Sequence, residues 1–499
     1  MTVDLSLLAR LSDRPGLTNA SERAYLDWFH GQSAARLPGV FESGFWDTLL
    51  LQATVTEPCV LHAVLALSCA HKSSSVVGSA RGSQKSLGPD KHEQFCLRQY
   101  SEAIGGLKPH FLSSSKSSIR VALIACVIFT CLEFVRGHYQ SGLSHFHCGL
   151  RLLGQLKAVS FRASNGVELQ SLGKSEQSVD GWLAEQFARL HLQARLFGQS
   201  RSSPKVTVQD WRQHQPVTFL SATHARKCLD RLIGDATTLS EQHKAAQYVS
   251  PHFLPSPETL EQQSNLQYAL ASWLEAYEKS CASLAQQRAG KKASIESIIG
   301  YKILHSYYLI ARITLGTSLR LDGETAFDAF TDDFRIIMRN SAQLGEIVFN
   351  DAPGTKFEHD PELSPIVADM GWITPLYFTA IKCRRRDVRQ QAIDFLSHGD
   401  CKEGIWDAAL AAQVAKLVVE IEQQGLGLDP KACNLVDGKE QDEKLPPEAS
   451  RVFDVDVLLP EGRSVCLGVV CKRRRDDGSI ETIARHREAG CGRWIDGAA

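Results

Sequence analysis

Fourteen cysteines in 499 residues invite a metal or disulfide reading. Structural zinc sites clip their thiolates in pairs, most often as C-x-x-C, so that soft ligands close a tetrahedron. No two cysteines in this chain stand three positions apart. Cys126 and Cys131 fall inside an apolar run, and Cys59, Cys69 and Cys148 sit in helical patterns. In those places a cysteine reads as a small buried hydrophobe of a reducing compartment. His138 and His145 are seven apart on one helix face, with His147 beside them, a spacing that would suit a ligand pair. No acidic partner stands near them in sequence, so packed or polar-face histidines are the expectation.

Other chemistry is equally sparse. There is no G-x-S-x-G nucleophile elbow and no H-E-x-x-H pair. Gly173, Lys174 and Ser175 resemble the end of a phosphate-binding loop. The first glycine of that motif would fall on Glu168, and no apolar strand leads into it. We therefore expect no catalytic residue, no cofactor site and no metal site, hence no enzyme. The run Lys472, Arg473, Arg474, Arg475 is read as a nuclear import signal or a phosphate contact. Its structural alternative is a solvated turn after an edge strand, where cations discourage sheet extension. Arg384, Arg385 and Arg386 follow a helix, and a structural role offsetting the helix dipole is expected.

Composition narrows the class. Lys and Arg total 55 against 56 for Asp and Glu, so the chain has no global basic field. A domain that grips phosphates usually carries one, which argues against direct DNA binding by the bulk of the chain. The first residues, MTVDLSLLARLSDRP, carry Asp4 in the region that a signal peptide keeps basic, and only a short interrupted apolar run follows. An intracellular protein is the expectation.

The elements that position these residues are helices. The organising stretch is RVALIACVIFTCLEFVR, residues 120–136, apolar on nearly every side. It should be buried by neighbours all round, and its apolar run is short of the ~20 residues of a membrane span. Gly137 should end it. Pro58 should open a helix after Glu57, and helices are expected near 92–107, 138–156, 182–197, 223–248, 258–288, 295–321, 324–349 and 404–424, with Pro375 starting or kinking one within MGWITPLYFTAIKCRRRDVRQQAIDFL, residues 370–396. Tyr100 and Tyr139, 39 residues apart in two similar hairpins, hint at stacked pairs. After residue 425 the period changes: VFDVDVLL and SVCLGVVCKR alternate as a β-hairpin does. The fold expected is all-α, a repeat-like bundle of helical hairpins with a small C-terminal β-hairpin. Residues 1–20 read as a disordered lead-in, 21–425 as the helical domain and 426–499 as loop plus hairpin. Residues 73–90 and 160–181 read as polar loops.

Several stretches, in this order and spacing, resemble the fungal-specific transcription factor domain. They are FESGFWDTLLLQATVTEPCVLHAVLALSCAHK, FCLRQYSEAIGGL and SSIRVALIACVIFTCLEFVRGHYQSGLSHFHCGLRLL, then ITPLYFTAIKCRRRDVRQQAIDFL and EGIWDAALAAQVAKLVVEIE. The likeness runs with gaps from about residue 22 to 458. That domain is the helical regulatory region that usually follows a zinc binuclear cluster. The cluster's six cysteines have no counterpart here: nothing before Phe41 is a cysteine. The resemblance thus implies a nuclear transcription regulator acting without its own zinc cluster, possible control of a metabolic or secondary-metabolite gene cluster, and pairing as a homodimer or as a heterodimer with a zinc-cluster factor. DNA would be reached only through a partner, and no membrane is involved. A second reading is a helical module that senses an apolar ligand, a lipid or metabolite, between residues 120–136 and 295–321.

Overall fold

A computed structural model describes residues 19–76, 91–163, 178–199, 216–249, 253–289, 294–350, 365–424, 445–462, 467–487 and 493–496. The lead-in up to residue 18, most of the two polar loops and Gly173–Ser175 lie outside these residues.

Helices begin where a short polar side chain takes over the first unpaired N–H groups. Ser115 accepts from Ser118 N–H at 3.1 Å, opening helix Lys116–Arg136. Ser178 opens Val179–Leu196 and Ser294 opens Ile295–Thr317 in the same way. Helix Lys116–Arg136 ends as its sequence asks. Gly137 takes φ +80°, its N–H reaches Phe134 O at 3.1 Å and His138 N–H reaches Glu133 O at 2.8 Å. This paired closure requires a left-handed residue, which costs any side chain about 1–2 kcal/mol.

In chain order the helices are α1 (Ala20–Trp28, continuing through wider and short turns to Arg36), α2 (Leu50–Thr56), α3 (Pro58–Val76), α4 (Lys91–Phe111), α5 (Lys116–Arg136) and α6 (Tyr139–Ala163). Then come α7 (Val179–Leu196), α8 (Ala222–Val249), α9 (Pro257–Ala289), α10 (Ile295–Thr317) and α11 (Thr331–Asn350), with a tight 3-10 helix, Gly323–Phe330, before α11. The last are α12 (Ile373–Lys382), α13 (Arg386–His398) and α14 (Ala408–Gln424). The fold is all-α in its body, as the sequence implies. Three expected elements differ: that at 324–349 divides at Thr331, that around Pro375 divides into α12 and α13, and that at 404–424 begins at Ala408, because residues 402–403 and 406–407 pair as strands instead.

Two helices form the centres of packing. From Ser118 to Val135 every residue of α5 but Arg120 is buried, and α3, α4, α6 and α7 surround it. Each such Leu, Ile or Phe contributes roughly 1.5–3 kcal/mol of apolar burial. The helix extends beyond its apolar run to 21 residues, so by length and composition it could cross a membrane. Here protein supplies the apolar surroundings instead. The second centre, α10, lies among α8, α9, α11 and α12, and its Tyr308 stacks on Trp273 of α9 at 5.7 Å.

Two sheets complete the body. Short strands β1 (Ile366–Val367), β2 (Lys402–Glu403) and β3 (Trp406–Asp407) form one, with β1 parallel to β2. The C-terminal sheet contains the expected hairpin, β4 (Val452–Leu458) with β5 (Leu467–Arg474), and extends it by β6 (Ile480–Arg487) and β7 (Trp494–Asp496), all antiparallel. Val452, Val457, Leu467, Val469 and Cys471 join the same apolar core as α5 and α10.

Candidate functional site

The basic run lies on the last residues of β5 and the turn that follows. Cross-strand geometry sets acids opposite its cations. Lys472 pairs with Asp454 in register, and its Nζ lies 3.1 Å from the Asp454 carboxylate and 3.5 Å from Asp456. Its ammonium also sits 5.4 Å from the Tyr248 ring centre. Arg473 faces Glu481 across β5 and β6 and bonds to it, and Arg475 reaches the same carboxylate at 3.0 Å. These two guanidinium groups hold the Glu481 carboxyl below the usual range. Arg474 is half-buried and Arg475 is exposed. The turn closes through Gly478 at φ +81°, with Asp477 accepting from Ser479 N–H at 2.8 Å.

What fixes this sheet is a buried charge network. Glu422, on the inner face of α14, accepts from Arg384 at 2.8 Å, from Arg389 at 2.7 Å and from the Val452 N–H at 2.8 Å. Arg384 also donates to Val452 O at 3.0 Å and pairs with Glu324 at 3.0 Å. Lys382 joins Glu324 at 2.8 Å and Phe453 O at 3.1 Å. Burial alone would raise the Glu422 carboxyl, but Arg384, Arg389 and the Val452 N–H bring it down to about 2. Burial lowers the Lys382 ammonium to about 8 against the pull of Glu324. The Arg384–Arg386 run is thus partly structural: Arg384 is fully enclosed, and its charge is spent inside the protein.

A second network joins the two halves of the bundle. Arg189 of α7 bonds to Asp369 and, at 3.0 Å, to Asp230 of α8. Arg226 reaches Glu185 at 2.6 Å, and both guanidinium groups lie over the Phe41 ring. Nearby, Glu403 of β2 accepts from the N–H groups of Gly371, Trp372 and Ile373 at 2.9–3.0 Å, at the start of α12. Burial raises its carboxyl to about 7, against those three donors.

The histidines take separate partners. His145 meets the Tyr100 hydroxyl at 2.7 Å, while His138 stands 3.8 Å from Glu133 and 3.7 Å from Glu461. Glu461 arrives from beyond β4, 323 residues later in the chain, whereas Glu133 stands five residues before His138, so the expectation that no acid lies near these histidines in sequence is corrected for His138. Beside α5, a small void lined by Cys131, Phe134, Val135, Ile366 and Lys402, with no residue of 295–321 in its wall, holds about 10 Å³, room for about one water. Sequence reasoning missed the acids Glu324, Glu403 and Glu422. The one local signal was Glu422 itself, a carboxylate on a face otherwise made of Val414, Ala415, Val418 and Ile421.

Residues 25–234, from α1 into α8, match the family described as the fungal specific transcription factor domain. "Transcription regulator lscL" of Purpureocillium lilacinum is 30% identical over 109 residues, 22% of this chain and 26% of that protein. "Aspercryptin biosynthesis cluster-specific transcription regulator atnN" of Emericella nidulans is 23% identical over 430 residues, 71% of this chain and 66% of that protein. The matches thus span about a quarter of the first relative and just under two thirds of the second. No solved structure matches the chain. The stretches around α12 to α14 lie beyond the family match, and the helices that carry the resemblance most fully lie within it: residues 25–234 are similar to the fungal specific transcription factor domain.

Proposed function

We propose that this protein regulates transcription as a non-enzymatic fungal regulator, and that its targets form a biosynthetic gene cluster. The observation that carries this reading is the family match over residues 25–234. The printed name of the second relative, a cluster-specific regulator, supports the target class. In this reading the protein acts in the nucleus through other proteins, as a homodimer or beside a zinc-cluster factor that reads the DNA, and the balanced charge of residues 1–499 supports indirect contact with DNA. Lys472, Arg473, Arg474 and Arg475 serve as its import signal, presented at a hairpin end where Arg475 is exposed.

The test is a deletion strain and a tagged strain. Loss of transcripts from contiguous genes, with the tagged protein crosslinked to their promoters, is the expected outcome. Unchanged transcripts together with no chromatin association would overturn the reading. In the tagged strain, Arg474→Ala with Arg475→Ala should reduce nuclear accumulation while leaving expression level intact.

A further inference from the structure

One group of side chains has no part in the networks above. Glu57 ends α2, Cys59 is the second residue of α3, and His110 lies in the last turn of α4. Their ligand atoms all fall within 4.8 Å of one another, and His110 Nε2 stands 3.7 Å from Glu57 Oε2. The chain is built to bring them there. Pro58 forces Glu57 out of helical geometry, at φ −114° and ψ 111°, and starts α3 one residue later. On α4, Gly106 packs so closely that an added Cβ would stand 2.9 Å from the Cβ of Cys59. His110 is one helical turn beyond Gly106, on the same face.

We propose that Glu57, Cys59 and His110 form a zinc site that clamps the α2–α3 corner to the end of α4. Sulfur, imidazole nitrogen and carboxylate oxygen are a borderline-soft donor set that suits Zn²⁺ better than calcium or magnesium. Tetrahedral zinc holds such donors about 3.3–3.6 Å apart, given bonds of about 2.0–2.3 Å, so the three need close by only about an ångström. Cys59 is 2% exposed, while the Glu57 and His110 side chains are 29% and 21% exposed, which leaves a fourth position open to solvent. An ion pair between His110 and Glu57 explains two members of the group but not the thiol. Burial and the Glu57 charge raise the thiol's pKa, against the N–H groups of Val60 and Cys59. A divalent cation reverses that balance and releases the thiol proton on binding. Because the cysteine and histidine are 51 residues apart, no sequence motif announces the site. The proposal is independent of the regulatory reading, since it concerns how the helices are fastened.

The full chain, stripped with a chelator, is titrated with Co²⁺ and then with Zn²⁺ against a chromophoric competitor. The expected result is one equivalent of Co²⁺ bound with a thiolate charge-transfer band and tetrahedral ligand-field bands. Cys59→Ser abolishes the charge-transfer band and Cys228→Ser leaves it unchanged. Removing a hydrogen-bond partner of a metal ligand already costs about 10–100-fold in affinity, so His110→Gln should weaken Zn²⁺ binding at least as much. Absence of the band, or its survival in Cys59→Ser, overturns the proposal. Should Cys59→Ser fail to fold, His110→Gln decides, and unchanged Zn²⁺ affinity in that variant overturns it equally.

Discussion

Glu422 takes hydrogen bonds from two buried arginines and a strand N–H at once. Removing its charge strands Arg384 and Arg389 away from water, and breaking a buried pair from one side costs about 3–5 kcal/mol. Glu422→Gln should therefore lower the unfolding free energy measured in urea by that amount at pH 7, shifting the midpoint with little change in slope. The acid limb gives an independent check. A carboxyl held at about 2 when folded and near 4.5 when unfolded contributes stability that is fully present above pH 4.5. That contribution, about 3 kcal/mol, is lost as the pH falls through 2. The variant's stability should be flatter than the wild type's over that window. Glu403 has the opposite sign. Its folded carboxyl is raised to about 7, so its contribution is present below pH 4.5 and disappears as the pH rises through 7. These acids were hard to read in the sequence for one reason. Arg384 and Glu422 are 38 residues apart, Lys382 and Glu324 58 apart, and a partner is local in sequence only when one element carries both. The basic run Lys472–Arg475 was legible as a cluster, yet the acids that neutralise part of it came from β4 and β6, whose register against β5 the sequence alone does not set.

Helices were the legible scale, because each one repeats its buried positions over several turns. The apolar run of α5, the stop at Gly137 and the start at Pro58 all follow from side chains within one turn of the feature they set. The third and fourth strands were less visible. Asp477-Gly478 is a strong hairpin signal, but β6 reads Ile-Glu-Thr-Ile-Ala-Arg-His-Arg and is mostly half-buried, so its alternation is weak. Spacing between elements was not legible at all, and glycines reveal it. On α6, a Cβ at Gly149 would come within 2.3 Å of the Phe187 ring of α7 and 3.2 Å of the Cys126 Cβ of α5. Phe187 is fully buried and cannot swing away. Gly149→Ala should cost about 1–3 kcal/mol through overpacking, despite the better helix propensity of alanine. Gly154, on the same helix, has open space around its would-be Cβ. Gly154→Ala should stabilise by about 0.5–1 kcal/mol. Thermal melts of the pair separate packing from propensity, and equal shifts in both would contradict the close approach of α6 to its neighbours.

Across the whole molecule, the final strands do more than cover a face. Glu448 accepts from the N–H groups of Glu324 and Thr325 at 2.9 Å, opening the 3-10 helix. Arg451 spans Asp328 at 2.7–2.8 Å and Glu324 O at 3.1 Å. Glu461 takes the N–H of Gln140 at 2.8 Å at the start of α6. A chain ended at residue 444 would leave Glu422 without its strand donor and expose the apolar groups that Val452, Val457 and Val469 now cover. It should lose cooperative unfolding and bind a hydrophobic dye, which far-UV and near-UV circular dichroism together would report. The same dependence has a consequence in time. A ribosome adding about 5–20 residues per second releases α6 on the order of tens of seconds before the glutamate that completes its first turn. Throughout that interval the helices made first hold an unfinished end and an unfilled seam. Nascent chains are then exposed to aggregation at the seam, and a chaperone that recognises apolar helices would find this protein during synthesis rather than after it.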